Sequence, residues 1–284
     1  MKRPAPLRPL RWAGRLLGLV LAVVVIFGWG GMYLLQDRLL FLPPPYQSLS
    51  EAELTTRGWQ PLLVETDGVK LRGWLKLPVG ATGRVPLLLY FGGNGEDARS
   101  GLEHDLPGWA IAAFHYRGYG DSEGQPGEVV LKQDAVRIYD LLAHRAEIDP
   151  RRIVAIGRSL GSGVAVALAA TRPVAGLVLV TPYDSLSAVA SGHYPWVPVH
   201  WLLRHRFDSL ALAPKLKTPA LFVLAGRDFI VPNPHSLRLY QAWGGPKRQI
   251  LLTEADHNSV VSEPGYRLAS MAFLNELSRT QAIK

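Results

Sequence analysis

Ser159 stands in the pentapeptide Gly157-Arg158-Ser159-Leu160-Gly161, a G-x-S-x-G pattern that holds a serine hydroxyl on a sharp turn between a strand and a helix. A serine alcohol is a poor nucleophile at neutral pH and needs an adjacent base, itself oriented by an acid. On such a scaffold acid and base follow the serine in chain order, each just past the carboxyl end of a parallel strand. Two segments meet that requirement. The apolar run Ala220–Leu224 leads through Ala225-Gly226-Arg227 to Asp228, and Gln249–Leu252 leads to Asp256-His257. Ser159, Asp228 and His257 are therefore expected as nucleophile, orienting acid and base. Asp256 and Glu254 compete for the acid role, but they adjoin His257 in sequence and are badly placed to approach its ring. Singly, each residue has a plainer use: an ordinary βα turn, a helix N-cap near Pro234, a solvated loop histidine. Order and strand placement together favour the triad.

The charge that develops on an attacked carbonyl oxygen needs two N–H donors. The Leu160 amide, directly after the serine, is one candidate. The other is expected from the loop Phe91-Gly92-Gly93-Asn94-Gly95-Glu96, where the Asn94 amide is the choice and Gly93 lets substrate approach the backbone. A Gly-rich loop could instead cradle phosphate, but the Lys-Ser/Thr of a P-loop is missing. Cysteine is absent, which excludes disulfides and thiolate chemistry. The eight histidines form no close liganding pattern with carboxylates, so neither metal nor cofactor is expected.

Elements to carry these residues are legible. Gln60–Glu65 and Val69–Leu77 form an antiparallel opening pair around an Asp67-Gly68 turn. Short apolar runs follow at Pro86–Phe91, Trp109–His115, Ile153–Ile156, Leu177–Val180, Ala220–Leu224 and Gln249–Leu252. Helical patterns separate them, notably Glu128–His144, Gly161–Thr171, Pro234–Trp243 and Glu263–Arg279. Continuous apolar strands alternating with helices mean an α/β fold, one mostly parallel eight-stranded sheet covered on both faces.

As a set, these segments resemble the α/β-hydrolase superfamily, and within it the small-capped, often membrane-anchored branch near serine aminopeptidases and lysophospholipases. The resemblance is carried by Phe91–Gly95, Tyr116–Gly124, Ile148–Ile153, the turn around Ser159, Thr181–Ser185, Gly226–Asp228 and Asp256–Asn258. It implies the α/β-hydrolase fold with a short cap, the same triad, and an ester, thioester or amide substrate. One departure stands out. The family loop usually carries His-Gly before the oxyanion residue, and Gly92 here replaces the histidine, which implies a more mobile loop. Arg117 in the Tyr116–Gly124 segment is expected as an ion-pair hub, with Ser122 a turn residue.

The expected cap, about residues 184–214, holds Tyr194, Trp196, Trp201 and Leu203 among His193, His200, Arg204, His205 and Arg206. Asp208 is the only carboxylate between Ser185 and Pro214. Apolar and basic groups suit an acyl chain or anionic head group, with Tyr194 and Trp196 contacting substrate. Packing of the same aromatics on the core is an equal alternative. A peptidase needs acidic groups to hold a free ammonium, which disfavours it. A silent binding protein on this fold is disfavoured by the intact triad residues.

Hydrophobic residues make up 48% of the 284-residue chain, enough for a large core in one domain, residues 46–284. The net charge of +8 includes Lys2, Arg3, Arg8, Arg11 and Arg15. Eight less those five leaves +3, with no basic-aromatic face for nucleic acid. From 16 to 35 no residue is charged, and twenty helical residues span about 30 Å, a bilayer core. A cleaved signal has a shorter apolar region and a small-residue cleavage site. The expectation is an uncleaved transmembrane anchor at 16–35 after a basic cytoplasmic tail at 1–15, then a linker at 36–45 stiffened by Pro43-Pro44-Pro45. The catalytic domain then lies on the extracytoplasmic, periplasmic side. Oligomeric state is not readable.

Overall fold

Asp67 and Gly68 both take positive φ, 48° and 77°, as a two-residue hairpin turn requires. They join β1 (Trp59–Thr66) to β2 (Val69–Lys76) in an antiparallel pair. The computed structural model describes residues 8–104 and 106–282. Lys2 and Arg3 of the expected tail lie outside the described residues.

Six further strands complete the sheet: β3 (Val85–Phe91), β4 (Ala110–Phe114), β5 (Ile148–Arg158), β6 (Gly176–Val180), β7 (Ala220–Ala225) and β8 (Lys247–Leu252). Their order is β1-β2-β4-β3-β5-β6-β7-β8. Only β1–β2 and β2–β4 pair antiparallel, and every pair from β4–β3 to β7–β8 is parallel. β5 begins at Ile148, earlier than its apolar run, because Ile148 pairs with Val85 across a register shift.

The strands β3 and β6 are buried along their whole length, so their side chains alternate between two cores. Leu87, Leu89 and Phe91 face α3 (Glu128–Ala143) and α4 (Leu160–Ala169). Leu88 and Tyr90 face the 3₁₀ turn Ala98–Glu103 and α8 (Pro264–Ala282). The helix α7 (Asn233–Ala242) joins the first core through Leu239. The cap is two short helices, α5 (Leu186–His193) and α6 (Val199–Leu202). A small helix α2 (Glu51–Thr56) precedes β1 and is closed by a Ser50–Glu53 capping box.

The N-terminal helix α1 runs Arg8–Leu40. Its stretch Gly14–Leu40 is long and apolar enough to cross a membrane, and its most apolar 18-residue window is not buried against the rest of the chain. Two features extend beyond the expected bounds. The helix continues past Leu35, so residues 36–40, expected in the linker, are its last turn. Phe41, five residues before the expected domain start at 46, is 3% exposed inside the first core, packed edge-on against His205 at 5.1 Å.

The physical cause is a polar clasp. Gln36 donates to Leu202 O (3.1 Å) and accepts from Arg204 N (2.8 Å), while Asp37 pairs with Arg204 and His205. The proline run does not stand free either. Tyr46 donates its hydroxyl to Asp121, and Arg99 reaches Gln47 O.

Candidate active site

Ser159 links β5 to α4 with φ 48° and ψ −116°, a conformation that costs a non-glycine residue about 1–3 kcal/mol. Neighbouring glycines make it possible. A Cβ on Gly161 would lie 2.1 Å from Phe91 O, and one on Gly157 would lie 2.5 Å from Gly161 O. The start of α4 therefore presses against the end of β3, holding the serine beside the Gly-rich loop.

Around this turn the chain brings three distant side chains into one row. Ser159 Oγ is 2.9 Å from His257 Nε2, and His257 Nδ1 is 2.8 Å from Asp228 Oδ2. Asp228 and His257 are buried, 8% and 6% exposed. The other Asp228 oxygen accepts the Ile230 and Val231 amides at 3.0 and 2.7 Å. The carboxylate thus closes its own loop rather than capping α7, whose N-cap is Pro232. Asp256 is spent elsewhere: its Oδ1 accepts the Asn258 and Ser259 amides. Those amides, Ser259 first, hold its carboxyl below the ordinary range. Glu254 is exposed and paired with Arg227.

Of the Gly-rich loop amides, Gly93 N donates to Glu96 at 2.6 Å. Neither the Asn94 nor the Leu160 amide donates to another described residue. Gly93 borders the nucleophile, since a Cβ there would lie 3.6 Å from Ser159 Cβ. The mobility that Gly92 implied is opposed by bonds at several points. Gly92 O accepts the Tyr116 hydroxyl at 2.8 Å. The Asn94 side chain donates to Leu40 O (2.7 Å) and accepts from Leu42 N (3.0 Å) and Tyr119 (2.8 Å). The loop is thereby fastened to the end of α1.

Two charged residues that the motifs contain, but to which the sequence assigned no role, tie the site together. Glu96 and Arg158 form an ion pair at 2.8 Å, each side chain 11% exposed. Glu96 also accepts from Tyr90 and Ser100. Arg158 also donates to His257 O and Asn258 Oδ1. Burial alone would raise the Glu96 pKa; Arg158 and the surrounding donors outweigh it and hold the carboxyl below its ordinary value. A clue was available: Arg158 is a cation ending a buried strand, which demands a partner. Arg117 pairs with Asp134 and Asp67, and Ser122 donates to His115 O. Tyr194 and Trp196 are 49% and 71% exposed on the cap, stacked edge-to-face at 6.1 Å, with no contact to Ser159 among their ring partners. Among the described residues no cluster of three His, Cys, Asp or Glu could hold a metal ion.

The arrangement sets a serine alcohol against an imidazole and a carboxylate, near two backbone amides that donate to no other described residue. Comparison with known proteins agrees with the fold. A family model described as alpha/beta hydrolase fold matches residues 86–210. The chain is 35% identical over 248 residues to the uncharacterized protein Rv2307c of Mycobacterium tuberculosis (strain ATCC 25618 / H37Rv), covering 86% of each. It is 31% identical over 165 residues to the uncharacterized membrane protein YNL320W of Saccharomyces cerevisiae, covering 56% of this chain and 58% of that one. The solved Pyrococcus furiosus esterase Pf2001 superposes with a TM-score of 0.64 at 18% identity, covering 83% of this chain and 98% of that one. The chain belongs to the α/β-hydrolase fold family.

Proposed function

We propose that this chain is a serine hydrolase that cleaves a carboxylic ester or thioester through an acyl-enzyme on Ser159. The observation that carries the reading is the row Ser159 Oγ–His257–Asp228, at 2.9 and 2.8 Å, on a strained turn. His257 Nε2 takes the hydroxyl proton as Oγ attacks the carbonyl carbon. Asp228 accepts a hydrogen bond from His257 Nδ1–H, stays ionised and stabilises the imidazolium. The Leu160 and Asn94 amides receive the oxyanion, each such donor being worth about 10²–10³ in kcat. His257 then protonates the leaving group, and a water that it deprotonates releases the acid.

Ester is favoured over peptide because the cap carboxylates are engaged. Asp184 is buried on His235 and Arg238, and Asp208 accepts the Ala211 amide. Helix α1 serves in this reading as an uncleaved membrane anchor with a cytoplasmic N-terminus and an extracytoplasmic domain. Its exposed apolar length and the membrane protein among the relatives support that anchoring.

The test uses the full chain in detergent with a fluorophosphonate probe and short-chain aryl esters. Wild type should be labelled and active, and Ser159→Ala should lose both labelling and about 10⁴-fold or more of turnover. A Ser159→Ala protein that still labels or hydrolyses refutes the proposal.

A further inference from the structure

Between the last turns of α1 and the cap lies an open groove of about 300 Å³, within the size range of ligand sites. Its walls are Met32, Leu39 and Leu40 on the helix and Ala190, Val199 and Leu203 on the cap. Gln36 and Tyr194 bring the polar side-chain atoms. The Gln36 amide is already spent on Tyr33 O, Leu202 O and Arg204 N. The groove therefore offers an occupant apolar surface and almost no hydrogen bonding.

Two continuities say what that occupant is. One wall is α1 itself, whose apolar length leads to the bilayer in the anchor reading, and Leu39 on that wall remains 60% exposed. Trp196 and Trp201, 71% and 78% exposed on the cap, suit the interface where such rings settle. Leu40 also lines the groove, and its carbonyl accepts from the Asn94 side chain at 2.7 Å. Asn94 adjoins Gly93, the residue that borders Ser159.

We propose that this groove binds the acyl chain of a bilayer-resident ester and leads its carbonyl toward Ser159, so that the anchor helix forms half of the substrate site. The proposal rests on the serine-hydrolase reading. It makes the anchor a specificity element, because Met32 and Leu39 would contact the chain being cleaved.

The experiment measures kcat/KM of the full-length protein in detergent for aryl esters from acetyl to long-chain acyl. Each methylene that enters the groove should raise kcat/KM about fourfold until the groove is full. Ala190→Phe fills it from the cap, and Met32→Trp fills it from the helix. Either should lower the ratio of long-chain to acetyl kcat/KM by at least about tenfold, the worth of two methylenes. Placing the fillers on opposite walls keeps the test valid if one variant fails to fold. A flat chain-length profile in an active wild type overturns the groove alone. So do variants that lower all chain lengths equally or none. A wild type that hydrolyses no ester overturns both the groove and the serine-hydrolase reading.

Discussion

Replacing Glu96 by Gln removes one charge from the pair that joins the Gly-rich loop to the His257 loop. Both side chains are 11% exposed, so Arg158 would keep its charge in a dry setting. Removing one partner of a buried pair costs about 3–5 kcal/mol. Here Arg158 retains His257 O and Asn258 Oδ1, and Gln can still accept the Gly93 amide, so the cost should fall to about 2 kcal/mol. For a domain of this size that is a fall in Tm of roughly 4–8 °C. The pH dependence has a definite sign. The folded-state pKa of Glu96 is depressed below its ordinary 4.5, so its stabilisation is present above 4.5 and is lost as pH falls through the folded value. The gap between wild type and Glu96→Gln should therefore be full at pH 7 and narrow below pH 4.5. Thermal unfolding followed by tryptophan fluorescence measures it, and Glu96→Gln/Arg158→Met supplies the control. The reasoning fails if Glu96→Gln shifts Tm by less than about 1 °C at pH 7, or if the gap is unchanged by acid. It also fails if the double variant, freed of its stranded charge, is no more stable than the single one.

Asp228→Asn should lose about 10⁴-fold in kcat, while Asp256→Asn, which alters only a turn, should stay near wild type; steady-state kinetics of both decides the acid. Gly161→Ala drives a Cβ to 2.1 Å from Phe91 O and should cost at least about 1–3 kcal/mol, with kcat falling as the Gly-rich loop is displaced; a Tm equal to wild type argues against the close approach. Gln36→Ala leaves Arg204 N and Leu202 O without their partner and should cost about 1–2 kcal/mol. Hydrogen exchange at residues 36–42 should rise in that variant, and unchanged protection refutes the clasp.

What could be read from residue types was whatever depends on local periodicity and chain order. The apolar runs fall within the eight strands with end errors of a few residues. The order serine, acid, histidine named the three side chains that meet. Asp256 adjoins His257 in sequence, and its carboxylate turns back onto its own loop's amides. What escaped depends on partners far along the chain. Gln36-Asp37-Arg38 looks like the polar end of a span, and only Leu202, Arg204 and His205, more than 160 residues on, turn it into a docked helical turn. Arg158 was visible as a letter in a motif, but its partner Glu96 lies 62 residues away. The short cap helices gave no clear periodicity, so the groove they make with α1 had no sequence signal.

The fastening of Asn94 to Leu40 and Leu42 makes the end of α1 part of what holds the Gly-rich loop. A protease cutting before Gln36 would shed a particle that keeps its brace, whereas one cutting inside the proline run would carry the brace away with the stump. The longer fragment would keep both bonds to the Asn94 side chain, and the shorter one would lose them and hold the Gly-rich loop less firmly.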